Sequence, residues 1–474
     1  MNINEEMSQN RSPYMDNHLN TESREPQIVL TENQVQIHNN LEEVKKSKMS
    51  SNTTIIGSTF LVCNMCLSTT LFSFGVRAKT FGLVWLIVAS IIVGAINYWS
   101  LLRCSIASSR GKEDDYSEIT EKLLGRKSRI ILNIIVIIYS YACLMCFLSL
   151  IYNLFGRFIL SVNFADKYTD YCEFLINLWG KAYTKYPFYC GLSLILSLIS
   201  LNKDMKKFNY ISYLGVAAVT YTLIVIAVQC HDYYQFYKNN KYVEEDENTH
   251  PNWINLGKAF TKKLDFFKGI ATLFAAFSCH TGIFPIYSGF KYQENSIKKM
   301  KYTLFFATSL TIILYIICIV CSFLTEPVNP EDLIIYRKNK GNGKDIAMTI
   351  SKLLIALSLF TTSPGFYFGL RLSIANSFTN GNISTKFNII LTFSTFYGCA
   401  LVAALYDKIL NYFSYIGGFI SVFICYLFPA LLYVYSSGKQ ICYWKNLLEI
   451  ILSIFLCCIG VIAGIATIID DFTR

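Results

Sequence analysis

Charge is scarce in this sequence. Only 16% of its 474 residues are Asp, Glu, Lys or Arg, where a soluble domain carries roughly 25%. The charges that exist cluster in short stretches between long apolar runs. Runs of about 18 or more apolar residues read as membrane spans, which excludes an ordinary water-soluble core. No Asp or Glu lies deep in any run. Histidine is confined to His18, His38, His231, His250 and His280, and only His280 sits clearly inside a run. That scarcity argues against an intramembrane enzyme, which needs a His paired with Asp, Ser or metal ligands within the spans. The sequence also lacks a repeated pore loop, which argues against an ion channel. It has no basic helix interleaved with aromatics and no zinc-finger spacing. The net charge of +10 therefore does not mark a nucleic-acid partner. No apolar h-region follows the first residue, so no signal peptide is expected.

Cysteine, in contrast, is plentiful, but most of it is buried in apolar runs. Cys63/Cys66, Cys143/Cys146 and Cys318/Cys321 have CxxC spacing. Without polar company or partner ligands they read as packing, and neither metal nor cofactor is expected. Cys172, Cys190 and Cys230 fall in or near loops on one side, where one disulfide among them is possible.

Residues 1–52 are polar, rich in Asn, Gln, Glu and Ser, and read as a disordered cytoplasmic tail. Residues 53–470 form the membrane domain. Spans are expected at about 55–75, 81–103, 130–159, 187–201, 210–230, 268–290, 302–324, 346–370, 388–406, 410–435 and 446–468. The fold class is thus an all-α polytopic membrane protein with about eleven transmembrane helices. Lys45, Lys46 and Lys48, seven basic residues over 103–129, Lys203, Lys206 and Lys207, and Lys291, Lys298, Lys299 and Lys301 all fall on one side. The positive-inside rule makes that side, and the N-terminus, cytoplasmic. No sorting signal is legible, so a plasma membrane and a vacuolar or lysosomal membrane are both consistent.

Function in such bundles sits where a span is broken, because unwound backbone is tolerated in a membrane only inside protein or beside a wet cavity. Span 1 carries Asn64-Met65-Cys66-Leu67-Ser68-Thr69-Thr70-Leu71, a polar and β-branched run in mid-span. Its hydroxyls and freed carbonyls suit a cation or an ammonium; the bland alternative is Ser and Thr bonding back to their own helix. Span 6 carries Phe277-Ser278-Cys279-His280-Thr281-Gly282-Ile283-Phe284-Pro285. Gly282 and Pro285 are expected to break it, and His280 beside the break is either a titrating group or a structural one. Thr361-Thr362-Ser363-Pro364-Gly365 in span 8 predicts a further break at Pro364, with Arg371 snorkelling or capping near the end. Spans 1 and 6 lie five apart. Inverted-repeat transporters pair their broken helices in this way, with helix N-termini facing a carboxylate and freed carbonyls facing a cation. An α-amino acid carries both groups.

These residues resemble the amino acid/auxin permease family, especially its neutral amino acid transporter branch. Phe277-Ser278-Cys279-His280 through Pro285-Ile286-Tyr287 resembles that family's span-6 motif, and Asn64 through Gly75 its first-span pattern. Thr362-Ser363-Pro364 with Gly369-Leu370-Arg371 is similar to its span 8. Ile416-Gly417-Gly418 with Pro429-Ala430 is similar to its span 10, and Glu118 to Gly125 to its first long loop. The resemblance covers residues 50–470. It implies a five-plus-five inverted-repeat (LeuT-like) fold with an added eleventh helix, a monomeric transport unit, and proton- or sodium-coupled movement of amino acids. Ser68 and Thr70 stand where the family has glycine, and Phe74 where it has proline, so the site is expected to be narrowed there.

On that reading the substrate lies near Ser68, Thr69, Thr70, Cys279 and His280, with Tyr139 or Tyr141 of span 3 closing over it. Sodium, if it is the coupling ion, takes Asn64 with Thr361 or Thr362; a proton takes His280. The main alternative is an amino acid sensor on the same fold.

Overall fold

A computed structural model describes residues 54–67, 69–163, 182–201, 209–239, 265–325, 332–337, 345–378, 383–406, 414–438 and 443–473. The tail expected over 1–52 lies outside them. Among the described residues, eleven helical segments follow in order and are numbered as spans 1 to 11. Span 1 is Ile55–Cys66, a 3₁₀ turn at Thr69–Ser73, and Phe74–Phe81. Spans 2 to 5 are Leu83–Gly111, Arg126–Asn163, Ala182–Ser200 and Asn209–Asn239. Span 6 is Asp265–Ala276, a 3₁₀ turn at His280–Gly282, and Ile283–Ser288. Spans 7 to 9 are Ser296–Thr325, Ile346–Phe378 and Thr385–Leu405. Span 10 joins two π-helical stretches, Ile416–Ser421 and Phe423–Leu427, to the α-helix Phe428–Ser436, and span 11 is Trp444–Thr473. No strand occurs among the described residues.

Nine of these are long and apolar enough to cross a membrane, and the bent halves of span 1 make ten. Span 4, with 19 residues, is about 28 Å long at 1.5 Å per residue and is the remaining one. It starts five residues earlier than the apolar run and so carries Pro187 inside its second turn, where one i→i−4 hydrogen bond is lost.

Spans 3 and 8, also five apart, lie side by side along most of their length, as repeat-related helices do. Span 7 packs along spans 1, 2 and 5. Span 9 packs on span 4, and span 11 on span 10 and the first half of span 6. Helices in a membrane gain no hydrophobic drive from meeting each other, so they approach through small residues. Gly417 and Gly418 do this for span 10. A Cβ on Gly417 would strike the Ala271 carbonyl of span 6, and one on Gly418 would stand 2.7 Å from both the Gly460 carbonyl and the Gly464 nitrogen of span 11. The paired glycines read from the sequence are therefore contact points.

A short helix, Tyr116–Leu124, fills the loop between spans 2 and 3. The Asp115 side chain caps it by accepting the Ser117 and Glu118 N–H groups at 2.9 and 3.2 Å. Burial raises the Asp115 carboxyl above its usual range, and those same N–H groups oppose the rise. Gly125 ends the helix at φ +86°, a conformation that favours glycine. The Tyr116 hydroxyl then donates to the Ile424 carbonyl in the π-helical part of span 10 at 2.8 Å.

Three expectations are corrected. Pro364 does not break span 8, since the helix runs unbroken from Ile346 to Phe378 through it; the missing N–H frees one carbonyl and neighbouring turns hold. Cys190 and Cys230 are both free thiols. Cys190 sits beside Tyr397 of span 9 and Cys230 beside the Cys321 carbonyl of span 7. Cys172 lies outside the described residues. Arg371 neither snorkels nor reaches water. It is buried, and Nη1 donates at 3.4 Å to the Ser200 carbonyl that ends span 4 and to Asn388 Oδ1 of span 9.

Candidate site at the broken spans

A helix that stops inside a membrane leaves its last carbonyls without partners, and lipid supplies none. Span 1 stops at Cys66 and span 6 at Ala276. One residue serves both ends. The Tyr315 hydroxyl of span 7 donates a shared hydrogen bond to the Cys66 carbonyl at 2.5 Å and to the Ala276 carbonyl at 2.8 Å. Its ring is fully buried between Phe74 and Phe277, with centroids 5.2 and 5.0 Å away.

Tyr315 belongs to a stripe on span 7 that follows span 1 turn by turn. Thr311 Oγ1 meets Cys63 Sγ at 3.5 Å, Cys318 Sγ reaches the Leu71 carbonyl at 3.4 Å, and Ser322 packs against Gly75. The spacing 311, 315, 318, 322 is one face of a helix. Phe74, which stands where the family motif has proline, fills the space beside this stripe and starts the second half of span 1.

The two breaks touch. Cys66 Sγ and Cys279 Sγ are 3.2 Å apart. Gly282 lies on Met65, so close that a Cβ there would overlap the thioether. Span 6 is non-helical over Phe277–Cys279, so the break comes before both expected breakers. Gly282 precedes the second half-helix, Ile283–Ser288, and Pro285 sits in its first turn, where proline is tolerated.

Span 3 closes one side. The Tyr139 hydroxyl lies 3.0 Å from Ser278 Oγ, at the unwound stretch. Tyr141, two residues on, faces elsewhere, because positions i and i+2 of a helix point apart. Its hydroxyl meets Thr395 of span 9 at 3.1 Å, so of the two tyrosines only Tyr139 reaches the breaks. Thr70 is buried at the 3₁₀ turn of span 1, and its carbonyl accepts from Ser73 Oγ at 2.7 Å. Ser68 and the Thr69 side chain lie outside what is described.

His280 is turned into the bundle. Its Nε2 is 3.1 Å from Ser100 Oγ of span 2, and Ser100 in turn donates to the Cys425 carbonyl of span 10. The imidazole lies 6.3 Å from the Tyr426 ring and is 1% exposed. It ties the break of span 6 to spans 2 and 10, whereas the neighbouring Ser278 and Cys279 face spans 3 and 1.

A second cluster lies where spans 1, 5 and 8 meet. A Cβ on Gly215 of span 5 would stand 3.0 Å from Ser358 Oγ and 3.7 Å from Asn64 Oδ1. The bare glycine thus leaves a small space that a span-1 amide oxygen and a span-8 hydroxyl both border. Thr361 Oγ1 and Thr362 Oγ1 both donate to the Ser358 carbonyl, at 2.9 and 2.7 Å. With their protons spent on that carbonyl, both hydroxyl oxygens retain lone pairs. Sequence reasoning missed Ser358, Ser278 and Tyr315. The polar periodicity of span 7 was the available signal for the last.

The family model for transmembrane amino acid transporter proteins matches residues 51–471. The chain belongs to that family. Its activity is accordingly secondary transport of amino acids by alternating access, and it is a multi-pass integral membrane protein and not an enzyme. Among curated proteins, sodium-coupled neutral amino acid transporter 7 of Mus musculus is 24% identical over 408 residues, covering 82% of this chain and 81% of that protein. The Danio rerio protein of the same name is 23% identical over 406 residues, covering 82% and 80%. Among solved structures, the inward-facing conformation of Mhp1 superposes with a TM-score of 0.54 at 12% identity, covering 89% of this chain and 92% of that one. This likeness fits the inverted-repeat architecture and speaks to fold alone. In this chain the two breaks are in contact through Cys66 and Cys279, and Tyr315 bonds the carbonyl that ends each first half-helix.

Proposed function

We propose that this transporter carries neutral amino acids and couples their movement to sodium. The observation that carries the sodium reading is that Asn64 Oδ1 and Ser358 Oγ both border the space beside Gly215, with the Thr361 and Thr362 hydroxyls on the Ser358 carbonyl. Sodium needs only neutral oxygens, and a carboxylate is not required. Curated relatives that bear the name of sodium-coupled transporters support the same reading.

What surrounds the breaks supports a neutral substrate. Cys66, Thr70, Tyr139, Ser278 and Cys279 are all uncharged. A charged substrate side chain there would lose its water and find no counter-charge, a cost of several kcal/mol. The zwitterion itself is provided for. Backbone N–H groups at the Thr69–Ser73 turn suit the carboxylate. Carbonyls of the unwound Phe277–Cys279 stretch and the Ser278 hydroxyl suit the ammonium.

His280, enclosed and bonded to Ser100, is read as a strut of the bundle and not as the coupling proton carrier. Both breaks lie within one chain, which supports a monomeric transport unit. The basic residues clustered at one set of span ends support a cytoplasmic N-terminus, in a plasma membrane or a vacuolar or lysosomal one. Uptake into proteoliposomes tests the function. Labelled glutamine and alanine should enter under an inward sodium gradient, and excess unlabelled lysine or glutamate should compete weakly. Uptake driven by a pH gradient in sodium-free medium, or strong competition by lysine or glutamate, would contradict it.

A further inference from the structure

At the end of the bundle remote from the Tyr116–Leu124 helix, spans 3, 5 and 8 gather three cations: Arg157, Arg337 and Lys352. Arg337 follows the 3₁₀ turn Ile334–Tyr336, and its side chain is fully enclosed. Lys352 is 6% exposed. Arg157 lies 4.1 Å above the Tyr336 ring and donates from Nη1 to the Tyr336 carbonyl at 3.3 Å, which brings it next to Arg337. The Lys352 ammonium donates to Ser161 Oγ at 3.0 Å, and Ser161 donates to the Arg157 carbonyl at 2.7 Å. The ammonium lies within electrostatic reach of both guanidinium groups and of Asp345.

Among the described residues, Asp345 is the carboxylate bonded to Arg337, and its capacity is used. Asp345 accepts from Arg337 Nη2 at 2.9 Å, Gln229 Nε2 at 2.9 Å, Tyr233 Oη at 3.2 Å and the Met348 N–H at 3.0 Å. Four bonds match the roughly four lone-pair sites of a carboxylate. Lys352 is left with a neutral hydroxyl as its hydrogen-bond partner. Arg337 keeps Nε and Nη1 without partners, and the Tyr336 hydroxyl has none either, although all are buried. Buried donors are almost always satisfied, and an exception points to a bound water or ion. An uncompensated buried charge is costlier than an unmet neutral donor, which favours an ion.

We propose that a small monovalent anion binds between Arg337 and Lys352, with Arg157 adding to the field and the Arg337 Nε and Nη1 donors contacting it. A halide and the carboxylate of an amino acid share this chemistry. The site stands apart from the broken spans, so its occupation adds to the transport reading and does not depend on it. An anion there would tie span 8 to span 3 and to the Ile334–Tyr336 turn.

The test is thermal unfolding of the purified full-length protein at constant ionic strength, with bulky gluconate replaced stepwise by chloride, bromide or acetate. A saturable rise in midpoint of roughly 2 °C or more is expected. It should be lost in Lys352→Met and kept in Lys352→Arg. A response to chloride and bromide assigns the site to halides. A response to acetate alone assigns it to carboxylates. In crystals soaked in bromide, an anomalous peak beside Arg337 Nε provides a readout that needs no variant. Equal midpoints in all four anions, or a rise undiminished in Lys352→Met, would overturn the proposal. For the halide assignment, an empty anomalous map beside Arg337 would do the same.

Discussion

The Tyr315 hydroxyl lies 2.5 Å from the carbonyl of Cys66, the last residue of the first half-helix of span 1. The same hydroxyl reaches the corresponding carbonyl of span 6 at Ala276. A single side chain on span 7 thus answers the polar debt of both broken helices. The breaks persist in a membrane because their carbonyls are satisfied from within the protein.

Tyr315→Phe tests this directly. The ring stays between Phe74 and Phe277, while two buried carbonyls lose their donor. Each unsatisfied group costs about 1–3 kcal/mol. The variant should unfold at a clearly lower temperature and lose most amino acid uptake. A midpoint and uptake rate equal to those of the parent would show that the carbonyls find other partners.

Gly417→Ala should be harmful for a different reason. The new methyl group would meet the Ala271 carbonyl, which is backbone and cannot swing aside. Overpacking of this kind costs about 1–3 kcal/mol. Gly398, in mid-helix of span 9, has no atom within 4 Å of a built Cβ. Gly398→Ala should instead stabilise by roughly 0.5–1 kcal/mol through helix propensity. Unfolding midpoints of the two variants should move in opposite directions. The idea fails if both move the same way.

His280→Gln separates a strut from a proton carrier. The amide can still bond Ser100 but cannot exchange a proton in the same range. Uptake should fall by a few-fold at most, and its pH profile should keep the shape of the parent's. A flattened or shifted profile, measured from pH 5 to 8, would return His280 to the coupling step.

Much of this architecture is legible in the sequence because a membrane demands long apolar runs, and such runs leave little ambiguity. The two breaks are legible for a related reason, since polar residues in mid-span need an explanation. What sequence could not supply is direction. Tyr139 and Tyr141 are equal as letters, yet 100° of rotation per residue sends one to Ser278 and the other to Thr395. Pro364 looks like a breaker, but its neighbours carry the helix past it. Pro285 also looks like one, yet it opens a half-helix. Tyr315 escaped notice because Thr311, Tyr315, Cys318 and Ser322 are only mildly polar within an apolar run. Their shared face appears only when the residues are counted at helical spacing. Ser358 was hidden by the louder Thr361-Thr362-Ser363 beside it.

The claim that sodium is held between spans 1 and 8 rests on Asn64 and Ser358 both bordering the space beside Gly215. The most direct test is the sodium dependence of glutamine uptake in proteoliposomes at fixed pH, for the parent, Asn64→Ala and Ser358→Ala. The account predicts saturable sodium activation of the parent. Each variant should need about tenfold more sodium for half-activation, equivalent to roughly 1.4 kcal/mol, with uptake recovering at high sodium. Uptake in the parent that ignores sodium, or half-activation unchanged in both variants, would contradict it.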